Sequence, residues 1–251
     1  MSRRSWLLPL LLLLAGVALA AQPAGGALPS VTVDFGKSPS GPALSSSLQA
    51  MLLLTVLSLA PTILMTATSF TRIVVVMHFL RQGLGTQQTP SNQVLISLSL
   101  VLTFFIMAPT AREINTTVLQ PLQRNELTTD QALDRTAAPM KVFMLRHTRK
   151  KDLALFLRIA KAPAPKTKAD VPMECLLPAF LISELKTAFE IGFMIFLPFL
   201  VLDMVVASIL LSMGMMMLPP VVISLPFKVL LFVLVDGWYL IVGSLVKGYT
   251  G

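Results

Sequence analysis

Four ionisable residues, Glu190, Asp203, Lys228 and Asp236, interrupt long apolar runs in the last third of the chain. A charge at the centre of a bilayer costs at least about 2.5 kcal/mol, so such groups rarely face lipid. With Met216 as the centre of a hairpin, Asp203 lies thirteen residues before it and Lys228 twelve after it. The two therefore sit at nearly equal depth. They can pair within the hairpin, pair with a neighbouring subunit, or snorkel to water separately. In each case the two legs are poor lipid-facing helices and suit a protein-lined assembly or a water-filled path.

Between the legs runs Ser212-Met-Gly-Met-Met-Met-Leu-Pro-Pro220. Gly214 loosens the helix and Pro219-Pro220 stops it, which leaves Met215, Met216 and Met217 on a loop. Three consecutive methionines have no helical period. Two readings fit them: ordinary core filling, or a deformable apolar seal made by flexible thioether chains converging on an axis. No phosphate loop, nucleophile arrangement or metal cluster accompanies these residues, so no enzyme and no cofactor is expected. His78 and His147 fall in unrelated segments, and the lone Cys175 reads as a packing residue.

The elements that must position these residues follow from composition. Of 251 residues, 55% are hydrophobic and 13% charged, and the mean hydropathy is +0.77. A soluble domain carries about 25% charged residues, so most of this surface meets lipid or protein. The net charge of +8 comes without a basic stripe interleaved with aromatics, and a nucleic-acid partner is excluded.

Charge placement maps the chain. No charged residue occurs between Ser38 and Thr71, or from Gln82 to Ala111. Residues 112–174 hold twelve Lys or Arg and seven Asp or Glu, whereas only seven charges follow Cys175. The expected fold is all-α: an integral membrane protein with two long apolar helical hairpins and a small helical extracytoplasmic domain between them.

The first hairpin, within residues 45–111, has legs from about Leu48 to Phe70 and from Gln93 to Pro109. Its polar turn runs through Arg81–Asn92, where Gly83, Gly85 and Pro90 supply the bend. The charged domain covers 112–177, with short helices expected over Pro139–His147 and Lys151–Ala162 and a stiff linker from Ala162 to Pro172. The second hairpin fills 178–251, with legs Ala188–Met213 and Pro219–Val246.

The amino terminus reads as a signal peptide over 1–20. Arg3-Arg4 are followed by a short apolar stretch and then Ala18-Leu19-Ala20, a small-x-small cleavage pattern. A flexible external leader follows over 21–44. Cleavage places the mature amino terminus and the charged domain outside the cytoplasm. The twelve basic residues of the insert favour the opposite side, but a segment of this length weakens that rule, and the signal peptide decides. The stretch holding Arg72 and Arg81 then faces inward.

Several long motifs resemble the FliP family of flagellar biosynthetic proteins. They are Leu64-Met-Thr-Ala-Thr-Ser-Phe-Thr-Arg-Ile-Val-Val-Val76, Leu80–Leu95, Pro178-Ala-Phe-Leu-Ile-Ser-Glu-Leu-Lys-Thr-Ala-Phe-Glu-Ile-Gly192, the Gly214-Met-Met-Met loop and Pro226–Trp238. The resemblance covers about residues 48–112 and 176–246. It implies a pore-forming core subunit of the flagellar type III export gate at the inner membrane and basal body. Several copies would join the FliQ and FliR proteins, with FlhA and FlhB as further export partners. Unfolded rod, hook and filament subunits would be the cargo. The resemblance makes Met215, Met216 and Met217 a gasket around the pore and places Glu184 and Lys228 in signature motifs. Arg72, Asp203 and Asp236 join them as buried polar or assembly residues. Two other readings are a virulence injectisome homologue with the same motifs, and a small-solute channel with Asp203, Lys228 and Asp236 along its path.

Overall fold

The computed structural model describes residues 46–250 except Gln87, Asn125, Ala164, Lys166, Ala169, Met216 and Met217. The signal peptide and leader expected over 1–44, and two of the three loop methionines, lie outside the described residues. The chain divides into two units, residues 1–57 and 58–251. Every described element is helical: α1 Ser46–Ala67, α2 Phe70–Leu84, α3 Asn92–Ile114, α4 Gln120–Gln123, α5 Thr129–His147, α6 Lys150–Ile159, α7 Met173–Ser212, α8 Pro220–Leu234 and α9 Gly237–Thr250.

The all-α expectation holds, and several boundaries move. Residues 71–80, expected to approach a turn, belong to α2. Between Pro61–Ala67 and α2 the helix axis bends by 79°. No proline or glycine stands at this bend. The Thr68 hydroxyl donates to the Leu64 carbonyl at 2.5 Å and accepts from the Phe70 N–H at 3.3 Å. The Thr71 hydroxyl donates to the Met65 carbonyl at 2.5 Å. Side chains thus take over backbone bonds that a straight helix would make. The polar turn falls where glycine permits it: Gly85 caps α2 in the left-handed conformation at φ 74°.

α3 continues through a π-helical turn, Asn115–Leu119, into α4, so helix extends to Gln123, beyond the expected boundary at 111. α5 begins earlier than expected because Thr128 and Gln131 form a reciprocal capping box. α7 begins at Met173 rather than Ala188 and runs for 40 residues. The second leg of that hairpin is broken instead of continuous. α8 and α9 meet at a 62° bend, where Asp236 has φ 51°.

The core lies between α2 and α7. Ile73, Val76, Met77, Leu80 and Leu84 form the buried stripe of α2. Leu176, Ala179, Phe180, Ala188 and Gly192 lie on the buried side of α7. Close approach depends on two glycines. A Cβ at Gly192 would stand 2.5 Å from the Phe79 ring, and one at Gly83 would stand 2.8 Å from the Phe199 ring. Small residues let helix backbones approach in this way.

The opposite faces are bare. Phe104, Phe105, Phe193, Met204, Val233 and Leu234 are all at least 60% exposed. The stretches 92–123 and 173–212 are long and apolar enough to cross a membrane, and the two bent pairs qualify if each counts as one span. Continuous apolar surface of this extent belongs against lipid or other protein.

Candidate functional site

Two ion pairs lie near opposite ends of α2. Arg72 stands in the first turn of α2 and Glu184 is buried on α7. The Arg72 guanidinium donates through Nε to Glu184 Oε2 at 2.8 Å and through Nη2 to Oε1 at 2.5 Å. This forked geometry is the strongest way for arginine to meet a carboxylate. The two residues are 112 positions apart in sequence.

The last turn of α9 completes the pair. The Tyr249 hydroxyl donates to Glu184 Oε2. The Arg72 guanidinium lies 4.0 Å from the Tyr249 ring centroid, a cation–π arrangement. Arg72 also donates to the Gly248 carbonyl at 3.4 Å. Phe143 of α5 stacks on Tyr249 at 6.1 Å, and His147 meets that ring edge-on at 4.8 Å. Burial, then the positive charges of Arg72 and Arg146, push the His147 pKa down to about 4.

The second pair closes the α7–α8 hairpin. Lys228 Nζ lies 2.7 Å from Asp203 Oδ2, and the Ser224 hydroxyl donates to Asp203 Oδ1 at 2.5 Å. Lys228 is buried, whereas 27% of the Asp203 side chain is exposed. Of the arrangements open in the sequence, the fold adopts pairing inside one hairpin. Lys228 Nζ also approaches the carboxy-terminal end of α2, 3.7 Å from where a Cβ of Gly85 would stand.

A third polar cluster carries no signal in the sequence. Asp152, at the start of α6, receives the Ser183 hydroxyl at 2.7 Å and Arg149 Nε at 2.8 Å. Ser183 in turn accepts the Arg149 backbone N–H at 3.1 Å. Burial opposes ionisation of Asp152, but the Ser183 hydroxyl and the Arg149 guanidinium outweigh it. The carboxyl is held below its usual range. This cluster fixes the α5–α6 corner to α7, one residue before Glu184.

Not every residue singled out in the sequence is buried. Asp236 is exposed at the α8–α9 bend, because the break in the helix turns that position outward. Glu190 is exposed and pairs with Lys186 on the surface of α7 at 3.4 Å. Met215 is 41% exposed on the loop after Gly214, which has φ 75°. The sequence gives Tyr249 no signal and makes His147 incidental: each is a single residue whose partners lie mainly on other elements. Among the described residues, no group of three or more His, Cys, Asp or Glu is placed to hold a metal.

Long apolar helices, internally neutralised charges and bare apolar faces define a helical membrane protein. Comparison with known proteins supplies the family. Residues 53–245 match the FliP family, and the chain belongs to it. It is 61% identical to the flagellar biosynthetic protein FliP of Bacillus subtilis over 206 residues, which cover 82% of this chain and 93% of that protein. The namesake from Aquifex aeolicus is 54% identical over 208 residues, covering 82% and 87%. That from Caulobacter vibrioides is 50% identical over 238 residues, covering 94% and 88%.

Proposed function

We propose that this chain is a non-catalytic, pore-forming subunit of the flagellar type III export gate, passing unfolded flagellar subunits across the inner membrane. One observation carries the reading beyond family membership. Arg72 pairs with Glu184 and Lys228 with Asp203 inside the subunit, while wide apolar faces stay bare. Asp236 is exposed at the α8–α9 bend, but most of the uncovered helical surface is apolar, as in a subunit completed by neighbours.

The neighbours in this reading are further copies of the chain and the FliQ and FliR proteins, with FlhA and FlhB alongside. The complex sits at the basal body, with the mature amino terminus and the charged domain outside the cytoplasm. Met215, Met216 and Met217 form the gasket of the resting pore. The relatives named above are all flagellar, which favours the flagellar branch over an injectisome.

The test is deletion of the gene and complementation. The null strain is expected to lack filaments and to retain hook and filament subunits in the cytoplasm. A tagged copy that restores motility should copurify with FliQ and FliR. A deletion strain that still secretes hook protein rules the reading out.

A further inference from the structure

We propose that Tyr249 and His147 form an acid-released latch that fixes the carboxy-terminal helix over the Arg72–Glu184 pair. The inference does not depend on the export reading.

The helix concerned is held mainly by one face. On α9 the buried side chains are Ile241, Leu245 and Tyr249, spaced four residues apart, while Tyr239 is 74% exposed. At its start α9 follows the 62° bend, with Asp236 at φ 51°. At its end a single side chain, Tyr249, meets three other elements: Arg72 on α2, Glu184 on α7, and Phe143 with His147 on α5. A bend at one end and one multivalent contact at the other is the layout of a hinged arm with a catch. Tyr249 is the positioning residue: its hydroxyl and ring contact opposite members of the same ion pair.

His147 supplies the release. The charged and titratable groups around it are Arg72 from α2, Arg146 from its own helix, Glu184 from α7 and Tyr249 from α9. The one acid among them already accepts from Arg72 and from Tyr249. Asp152 of α6, the next acid along, is engaged by Arg149 and Ser183. A proton on His147 therefore adds a cation beside a guanidinium with no uncommitted anion to receive it. The neutral ring fits the closed latch; the imidazolium fits the open one, where water solvates it.

The sign follows from linkage. The closed state holds the imidazole pKa down to about 4. Opening removes the burial contributed by α9 but leaves Arg72 and Arg146 beside the ring, so the open-state value rises only part of the way towards 6.5, and protons still bind the open state preferentially. Between the closed and open values opening gains up to about tenfold per pH unit as acidity rises. Below about pH 4 both states are protonated and the gain stops.

Hydrogen–deuterium exchange of the full chain in detergent, corrected for the intrinsic pH dependence of exchange, reads this directly. Residues 241–250 are expected to lose protection by up to about tenfold per unit as pH falls towards 4.5, while the α2–α7 core keeps its protection. His147→Phe should keep the aromatic contact and abolish the slope. His147→Gln, smaller and also neutral, should be flat as well and guards against a packing defect in the first variant. Tyr249→Phe should lose protection at every pH yet retain the slope, since the histidine is intact. A wild-type chain without a slope overturns the latch. So does an unchanged slope in His147→Phe and His147→Gln, which would assign the titration to another group such as Glu184.

Discussion

Lys228 on α8 and Asp203 on α7 meet at 2.7 Å across the methionine loop, beside the glycine that ends α2. One contact thereby closes the second hairpin close to the end of α2. Lys228→Ala leaves a carboxylate with only Ser224 and partial solvent for company, and is expected to cost roughly 3 kcal/mol. The exchange Asp203→Lys with Lys228→Asp should recover part of that loss. Thermal unfolding in detergent, with motility as the cellular readout, compares the two. An exchange variant no better than the single variant would show that the charge pair itself contributes little.

A methyl group at Gly192 has no room. It would fall 2.5 Å from the Phe79 ring and 2.9 Å from the Phe79 Cβ, which cannot swing aside without moving α2. Gly192→Ala should destabilise the chain by about 1–3 kcal/mol. Adding Phe79→Leu should restore part of the loss. Melting midpoints in one detergent are sufficient to compare all three proteins.

Asp152 gives the fold an acid-sensitive corner. Its carboxyl titrates below the usual range, so its stabilising contribution is complete above the unfolded value of about 4 and disappears as pH falls through the folded value. Asp152→Asn should lower stability at neutral pH and flatten the acid limb of the stability curve. Unfolding midpoints taken between pH 7 and pH 3 provide the comparison. Parallel curves for the two proteins would remove Asp152 from the acid response.

The loop methionines are expected to seal by bulk rather than by specific contact. Replacing Met215, Met216 and Met217 with Leu should leave the resting gate tight, because leucine is apolar and similar in size. Deleting the three should let ions leak while secretion continues. Growth inhibition and ion leakage in cells making the complete complex measure the difference. A tight membrane around an assembled deletion variant would return these residues to ordinary packing.

The sequence revealed some of this through spacing and kept the rest hidden. Asp203 and Lys228 could be matched because both lie on legs of one hairpin, where counting from the loop gives depth. Arg72 and Glu184 stand 112 residues apart on separate elements, and no local period links them. The polar turn was announced by Gly85 and Pro90; Gly83, expected to help make the bend, lies inside α2 against Phe199. The bend before α2 was not, because Thr68 and Thr71 make it with side-chain hydrogen bonds and no breaker residue. Tyr249 carried no signal, and His147 read as incidental, for a related reason. An isolated aromatic near a terminus and an isolated histidine acquire meaning only when the fold brings their rings together. The early start of α7 was within reach, since Pro172 is a natural helix boundary and an apolar stretch follows it.

α7 has a consequence beyond the contacts it makes. Forty residues of uninterrupted helix extend about 60 Å, twice the roughly 30 Å thickness of a bilayer's hydrocarbon. No tilt that helices ordinarily adopt hides such a rod entirely in lipid. Its exposed apolar residues gather in the second half, from Phe189 through Leu211, about 35 Å of helix and close to the thickness of a bilayer's hydrocarbon. The first half is covered instead by α2, α5 and α6 of the same chain. One rigid rod thus joins a bilayer-length apolar segment to the packed core, so the depth at which that segment sits in a membrane sets the height of the core above it.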